Sequence, residues 1–167
     1  CQGYRDGSAW ARGQAWGVYG TAMAYRYTKR EEYISDFKHV TGYFLDHLPE
    51  DLVPYWDLEF GDGSGEPRDS SSASIAACGM LEMAKYLNDE DAKYYTSIAK
   101  KIMKSVVENY AVKSGAESNG LVLHSTYSKK SPYNTCTPEG VDECNIWGDY
   151  FYMEALTRLS KDWNPYW

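Results

Sequence analysis

The residues densest in chemistry are Ser8-Ala9-Trp10-Ala11-Arg12-Gly13-Gln14-Ala15-Trp16. Two indoles, a guanidinium and a primary amide crowd into what reads as a helix start. An indole face stacks on a sugar ring or another planar ligand. A guanidinium grips a carboxylate through two parallel hydrogen bonds, and an amide reaches hydroxyls. The same residue types also make a buried Trp pair around an Arg12 that neutralises a structural acid. Both arrangements satisfy the spacing.

Other chemistry-bearing residues are weaker candidates. Asp149 follows Trp147-Gly148 and reads as a capping or supporting carboxylate rather than a catalyst. Asp57 and Glu59 alternate with aromatics and read as a solvated loop edge. His39 and His47 fall on the exposed side of a helix, and His124 reads as a satisfied loop histidine. The serines at 70–72 have no histidine at a useful spacing, so a serine nucleophile has no support. Neither a Cys-x-x-Cys pair nor a His-Glu-x-x-His run is present, so a zinc site has little basis. Of the four cysteines, Cys78 reads as core, while Cys136 and Cys144 share one loop and can bridge in an oxidising compartment. Cys1 reads as an internal residue of a longer protein rather than a lipid-bearing first residue, because the aromatic motif begins so soon after it.

Five helices must position these groups. Periodicity predicts them at about Ser8–Tyr27, Glu31–His47, Ser72–Leu87, Glu90–Tyr110 and Ile146–Leu159, with Asp6 or Ser8 capping the first. The first, third and fifth are apolar on nearly every side and should be buried on both faces; the second and fourth are amphipathic. Inner, outer, inner, outer, inner is the order of helical hairpins laid in two concentric layers. A faint repeat that aligns Ala24, Ala84 and Ala155 sets Trp16-Gly17, Ala76-Ala77 and Trp147-Gly148 level, small residues that would let inner helices approach closely. Two long loops, 48–70 and 111–145, lead into inner helices, the second with a short strand at Leu121-Val122-Leu123. Loops of this length in a compact domain are usually functional or disordered, and their aromatic and polar content favours function. Each inner helix then receives polar groups at its start: Asp6 and Ser8, Asp69 to Ser72, Asp142 to Asn145. Three such starts on one side make a polar, aromatic-lined pit.

Composition sets the outer bounds. The chain has 167 residues, a formal charge of −7 and a pI near 5.0. That balance argues against a nucleic-acid partner, which needs a basic face to neutralise phosphates. Nothing approaches the length of an apolar membrane span. Six Trp, sixteen Tyr and four Phe are the unusual numbers, and they suit stacking on sugars.

The Trp10-to-Trp16 stretch, preceded by Gln2-Gly3-Tyr4, resembles the signature of glycoside hydrolase family 88, the unsaturated glucuronyl hydrolases. Asp142-Glu143-Cys144-Asn145-Ile146-Trp147-Gly148-Asp149-Tyr150 is similar to that family's closing helix motif. The likeness runs the whole chain but covers only the C-terminal half of the family's length. It implies an all-α fold: residues 1–167 as the C-terminal portion of one (α/α)6 toroid domain, with about two and a half of its six hairpins. It implies an oligosaccharide substrate ending in a 4,5-unsaturated uronic acid. There an aspartic acid protonates the double bond, water adds to the next ring carbon, and the hemiketal opens to release the sugar. No metal or cofactor is implied. The family's aspartates belong to its N-terminal half, so the resemblance places no catalytic residue in this chain and makes the missing half its partner. On the binding side Gln2, Trp10, Arg12 and Trp16 match pocket residues, Gln14 is a motif residue, and Tyr127 or Tyr133 adds a contact, with Tyr127 preferred. A related unsaturated rhamnogalacturonyl hydrolase and a non-catalytic uronic-acid-sugar binding domain are the alternatives, and a helical scaffold is a third. The compartment stays undecided.

Overall fold

The structure is a computed structural model, and it describes residues 1–114 and 118–164. Residues 115–117, within the predicted 111–145 loop, lie outside the described residues. Five α-helices form among the described residues: α1 (Ala11–Thr28), α2 (Glu32–Asp46), α3 (Ser70–Met83), α4 (Asp89–Ser105) and α5 (Ile146–Ser160). A 3-10 turn, Ala84–Tyr86, continues α3, and a π turn, Val106–Tyr110, continues α4. No strand forms among the described residues. Leu121–Leu123 contributes only an isolated antiparallel bridge, Ala111 to Val122.

α3 is the axis of the molecule. α1 and α5 pack on either side of it, α2 covers α1, and α4 covers α3. α1, α3 and α5 run parallel with their starts together. Arg12 of α1 meets Ser71 of α3, and Gly148 of α5 backs onto Ser71 as well. At the opposite ends Arg26 of α1 and Arg158 of α5 both reach Glu82 of α3. This is the expected double layer of two and a half hairpins.

Burial corrects part of the prediction. α3 is buried on every side, its one partly exposed residue being Leu81. α5 buries only Gly148, Phe151, Glu154 and Ala155, and leaves Ile146, Tyr150 and Met153 exposed. α1 likewise leaves Gly20 and Tyr27 exposed. The reason is position: α3 has an inner helix on both sides, whereas α1 and α5 have one each.

The repeat register also holds only in part. Gly148 lies against Ser71 rather than level with Ala76-Ala77, so α5 is displaced along its axis. Gly17 faces Val40 of α2, not another inner helix. The close approach between α1 and α3 falls at Gly79 instead, where an added Cβ would sit 2.8 Å from the backbone of Val18 and Tyr19.

Helix starts explain the shifted boundaries. α1 begins later than predicted because neither Asp6 nor Ser8 caps it. Trp10 occupies the cap, and Ala11 N–H donates to the Trp56 carbonyl at 3.0 Å. α4 and α5 take side-chain caps from Asn88 and Asn145.

Candidate functional site

Three helix starts and one loop segment build the site. Residues 123–127 lie across the starts of α3 and α5. Ser70 N–H donates to the His124 carbonyl at 3.1 Å, Ser70 Oγ donates to the Leu123 carbonyl at 2.7 Å, and Ser125 pairs with Glu143 in an antiparallel bridge. Asn145 caps α5 through the Gly148 N–H. Asp149 accepts from the N–H groups of Leu121 and Val122, a supporting role.

Arg12 is at the centre, and it is buried. Its residue is 2% exposed. One terminal nitrogen donates to the Thr126 carbonyl at 2.9 Å and Ser71 Oγ at 3.2 Å, and lies 3.5 Å from Asp69 Oδ2. The other donates to the Tyr127 carbonyl at 2.7 Å. Asp69, fully buried, also accepts from Ser71 Oγ and the Thr126 N–H. Burial pushes the Asp69 carboxyl above its ordinary value, against the opposing pull of Arg12 and these donors. Thr126 is thus held at its N–H by Asp69, at its carbonyl by Arg12, and at its hydroxyl by the Arg68 carbonyl.

Aromatic faces enclose the guanidinium. Its carbon lies 5.0 Å from the Trp10 ring centroid, 5.2 Å from that of Trp147 and 6.0 Å from that of Tyr127. Such contacts add cation–π attraction to an already paired charge. Gly13 is what lets Trp10 fold back over the helix, since a Cβ there would meet the indole at 2.8 Å. Tyr127 and Trp147 stack with centroids 5.3 Å apart and planes 4° apart. Tyr127 is 50% exposed, so this parallel pair presents an open aromatic wall. Gly140 stands behind it. Its carbonyl accepts from the Tyr127 N–H at 2.6 Å, its φ is +89°, and a Cβ would press on the Tyr127 ring.

The other motif residues go to different places. Trp16 sits one turn along α1, half-buried, with its ring edge-on to Phe151 of α5 at 5.2 Å. Gln14 points to α2, where its amide donates to the Val40 carbonyl at 3.0 Å. Gln2 is exposed beside the 131–136 segment. Tyr133 is 61% exposed and packs edge-on to Tyr4.

Asp57 corrects the sequence reading. It is fully buried, not a solvated edge. Its carboxylate accepts from the Tyr4 N–H, Ser8 Oγ and the Glu59 N–H. With Asn134 donating to the Gly3 carbonyl, the segment before α1 is strapped to both long loops. The reading missed this because a carboxylate that collects backbone donors has no spacing of its own. It also left out Trp147, which lies against Arg12 and Tyr127, although a second Trp-Gly at a helix start was a signal for it. Cys136 and Cys144 do not pair. Cys136 faces the Cys1 carbonyl, while Cys144 lies against Ser118 and Gly120.

No protein-family model matches the chain. Curated proteins do. It is 52% identical over 168 residues to the unsaturated chondroitin disaccharide hydrolase of Streptococcus pyogenes serotype M1, covering 99% of this chain and 41% of that protein. It is 37% identical to the unsaturated glucuronyl hydrolase of Bacillus sp. strain GL1, over 99% of this chain and 43% of that protein. Among solved structures, an unsaturated glucuronyl hydrolase variant from Streptococcus agalactiae, complexed with dGlcA-GalNAc6S, superposes with a TM-score of 0.91. That match has 49% identity and covers 100% of this chain and 43% of the other. The chain therefore spans about two fifths of the length of these relatives, and its five helices are part of their toroid.

Proposed function

We propose, from its kinship with the C-terminal portion of the unsaturated glucuronyl hydrolases of glycoside hydrolase family 88, that this chain supplies the substrate-binding wall of such a hydrolase. The parent protein removes a 4,5-unsaturated uronic acid from the non-reducing end of an oligosaccharide. The observation that carries this reading is the open Tyr127–Trp147 stack, fixed over a guanidinium buried between two indoles.

The residues divide the work. Tyr127, Trp147 and Trp10 offer ring faces to sugars. Arg12 fixes the Thr126–Tyr127 backbone at the foot of the wall. Gln2 stands at the rim, and Trp16 packs α1 against Phe151 of α5. Gln14 acts structurally, tying α1 to α2. The proton donor comes from the remaining hairpins. Asp69 is locked by Arg12, Ser71 and Thr126, and Asp149 by two backbone N–H groups, so neither is free to protonate a substrate. The chemistry is general-acid protonation of the enol ether, addition of water at the adjacent carbon, and opening of the hemiketal.

The test is to incubate the longer protein with an unsaturated uronyl disaccharide and follow the ultraviolet absorbance of the conjugated alkene. Loss of absorbance, abolished by Tyr127→Ala with Trp147→Ala, is the expected result. Absorbance that persists across sulfated and unsulfated disaccharides, with binding retained, leaves a non-catalytic sugar-binding domain in its place.

A further inference from the structure

Residues 1–4 and 131–136 run past each other in opposite directions, and their contacts step along in register. Ser131 Oγ donates to the Tyr4 carbonyl, and Asn134 Nδ2 donates to the Gly3 carbonyl at 2.9 Å. Cys136 Sγ comes next, 4.0 Å from the Gln2 carbonyl and 3.5 Å from that of Cys1. The turn that presents Cys136 is built: Asn134 Oδ1 accepts from the Ser131 N–H at 3.0 Å and the Cys136 N–H at 3.2 Å. On the other side the Tyr4 N–H is held by buried Asp57. Two free cysteines thus meet at the end of an ordered pairing, across 135 positions of sequence.

Both sulfurs rest on the same short backbone, Cys1 Sγ at 3.8 Å from the Gly3 carbonyl and Cys136 Sγ on those of Cys1 and Gln2. A disulfide spans Cα atoms about 4.4–6.8 Å apart. A carbonyl oxygen is two bonds from its own Cα, so the contact of Cys136 Sγ with the Cys1 carbonyl brings the pair close to that range. A small movement of Cys1 closes the rest. The other cysteines of the chain are occupied elsewhere: Cys78 is buried against α5, and Cys144 lies against Ser118 and Gly120.

We infer that Cys1 and Cys136 form a reversible thiol–disulfide pair, a redox-sensitive staple across the rim of the pit. One end adjoins Gln2. The other lies in the 128–140 loop, which is closed on itself by Ser128 Oγ donating to the Thr137 carbonyl and ends at Gly140, whose carbonyl holds the Tyr127 N–H. The oxidant is a low-molecular-weight disulfide. One protein thiolate attacks it and releases one small thiol; the second protein thiolate attacks the mixed disulfide and releases the other. One S–S bond is broken and one formed, the two protein thiols are oxidised, and their two protons leave on the two small thiols. A bridge between surface segments is the labile kind that a change of redox poise can open.

The test uses the longer protein, prepared as a mixture of unlabelled and nitrogen-15-labelled molecules. One sample is equilibrated with oxidised glutathione and one with reduced glutathione. Free thiols are then blocked, and unreduced digests are read by mass spectrometry. The expected result is a Cys1–Cys136 peptide pair from one molecule in the oxidised sample and two blocked thiols in the reduced one. Cys1→Ser should abolish the link and Cys144→Ser should keep it. Amide hydrogen exchange across residues 128–140 should slow about fivefold on oxidation. Glutathione adducts without the link, links to Cys144 or to a cysteine outside residues 1–167, links between labelled and unlabelled copies, or unchanged exchange in the bridged protein each overturn the inference. Its bearing on substrate rests on the proposed function: a fixed rim should lower KM for the unsaturated disaccharide about threefold, a change absent in Cys1→Ser. An active enzyme without the bridge sinks the staple alone, and a bridged protein that leaves the disaccharide intact sinks the hydrolase reading alone.

Discussion

Arg12 is the residue on which the two readings of the aromatic motif meet. It is fully engaged inside the protein, as the structural alternative requires, yet what it holds in place is the exposed Tyr127. Arg12→Leu therefore leaves Asp69 buried and unpaired and two carbonyls bare, and should cost about 3–5 kcal/mol in denaturant unfolding of the longer protein. Arg12→Lys keeps the charge but not the fork, and should fall between. If the Arg12→Leu protein unfolds like the parent, Asp69 does not depend on this pair. Tyr127→Ala removes one ring of the wall, the most distant of the three around Arg12, and leaves that guanidinium its hydrogen-bond partners. It should raise KM about tenfold, in line with a lost stacking contact of about 1 kcal/mol or slightly more, and leave the thermal midpoint nearly unchanged. A fall in the midpoint with KM unaltered would make Tyr127 structural.

At the scale of elements, the inner helices are joined at both ends by buried charge. Glu82 of α3 accepts from Arg26, Lys85, Arg158 and Tyr86. Burial pushes its carboxyl up, but these four donors together outweigh burial and bring it down to about 2. A carboxyl whose pKa is lowered by folding stabilises the protein above its unfolded value, and that contribution fades as pH falls toward the folded one. Stability should thus drop between about pH 4.5 and pH 2 by on the order of 2–3 kcal/mol, and Glu82→Gln should flatten that acid limb. An unchanged acid limb in Glu82→Gln would assign the loss to other groups. Gly79→Ala should destabilise by about 1–3 kcal/mol, because its methyl meets the backbone of α1, which cannot swing aside as a side chain can. Helix number, order and layering were legible in the sequence because apolar periodicity is local. The α5 displacement, the close approach at Gly79 and the burial of Asp57 were not, because each depends on a surface brought in from elsewhere in the chain.

At the scale of the molecule, the exposed Ile146, Tyr150 and Met153 along α5 describe an inner helix with a neighbour on one side only. Apolar patches of this kind on soluble monomers mark interfaces. Residues 1–167 prepared alone should melt early or self-associate, as sedimentation velocity and a thermal melt would show, while the longer protein stays cooperative. A monomeric fragment with a sharp, high melt would mean these faces need no cover. The pit is also a sequence-distant construction. Arg12 is bonded to residues 114 and 115 positions later, and its flanking indole Trp147 comes later still. Closing so long a loop costs entropy before any contact offsets it, and distant pairings slow folding. On the ribosome, α1 emerges with a guanidinium whose loop partners do not yet exist, and Asp69 is the first of its native partners to follow. The Tyr127–Trp147 wall is then assembled late. A destabilised variant should lose ligand recognition while its helices still fold, and the order of those two losses in a refolding experiment would record the direction in which the molecule was made.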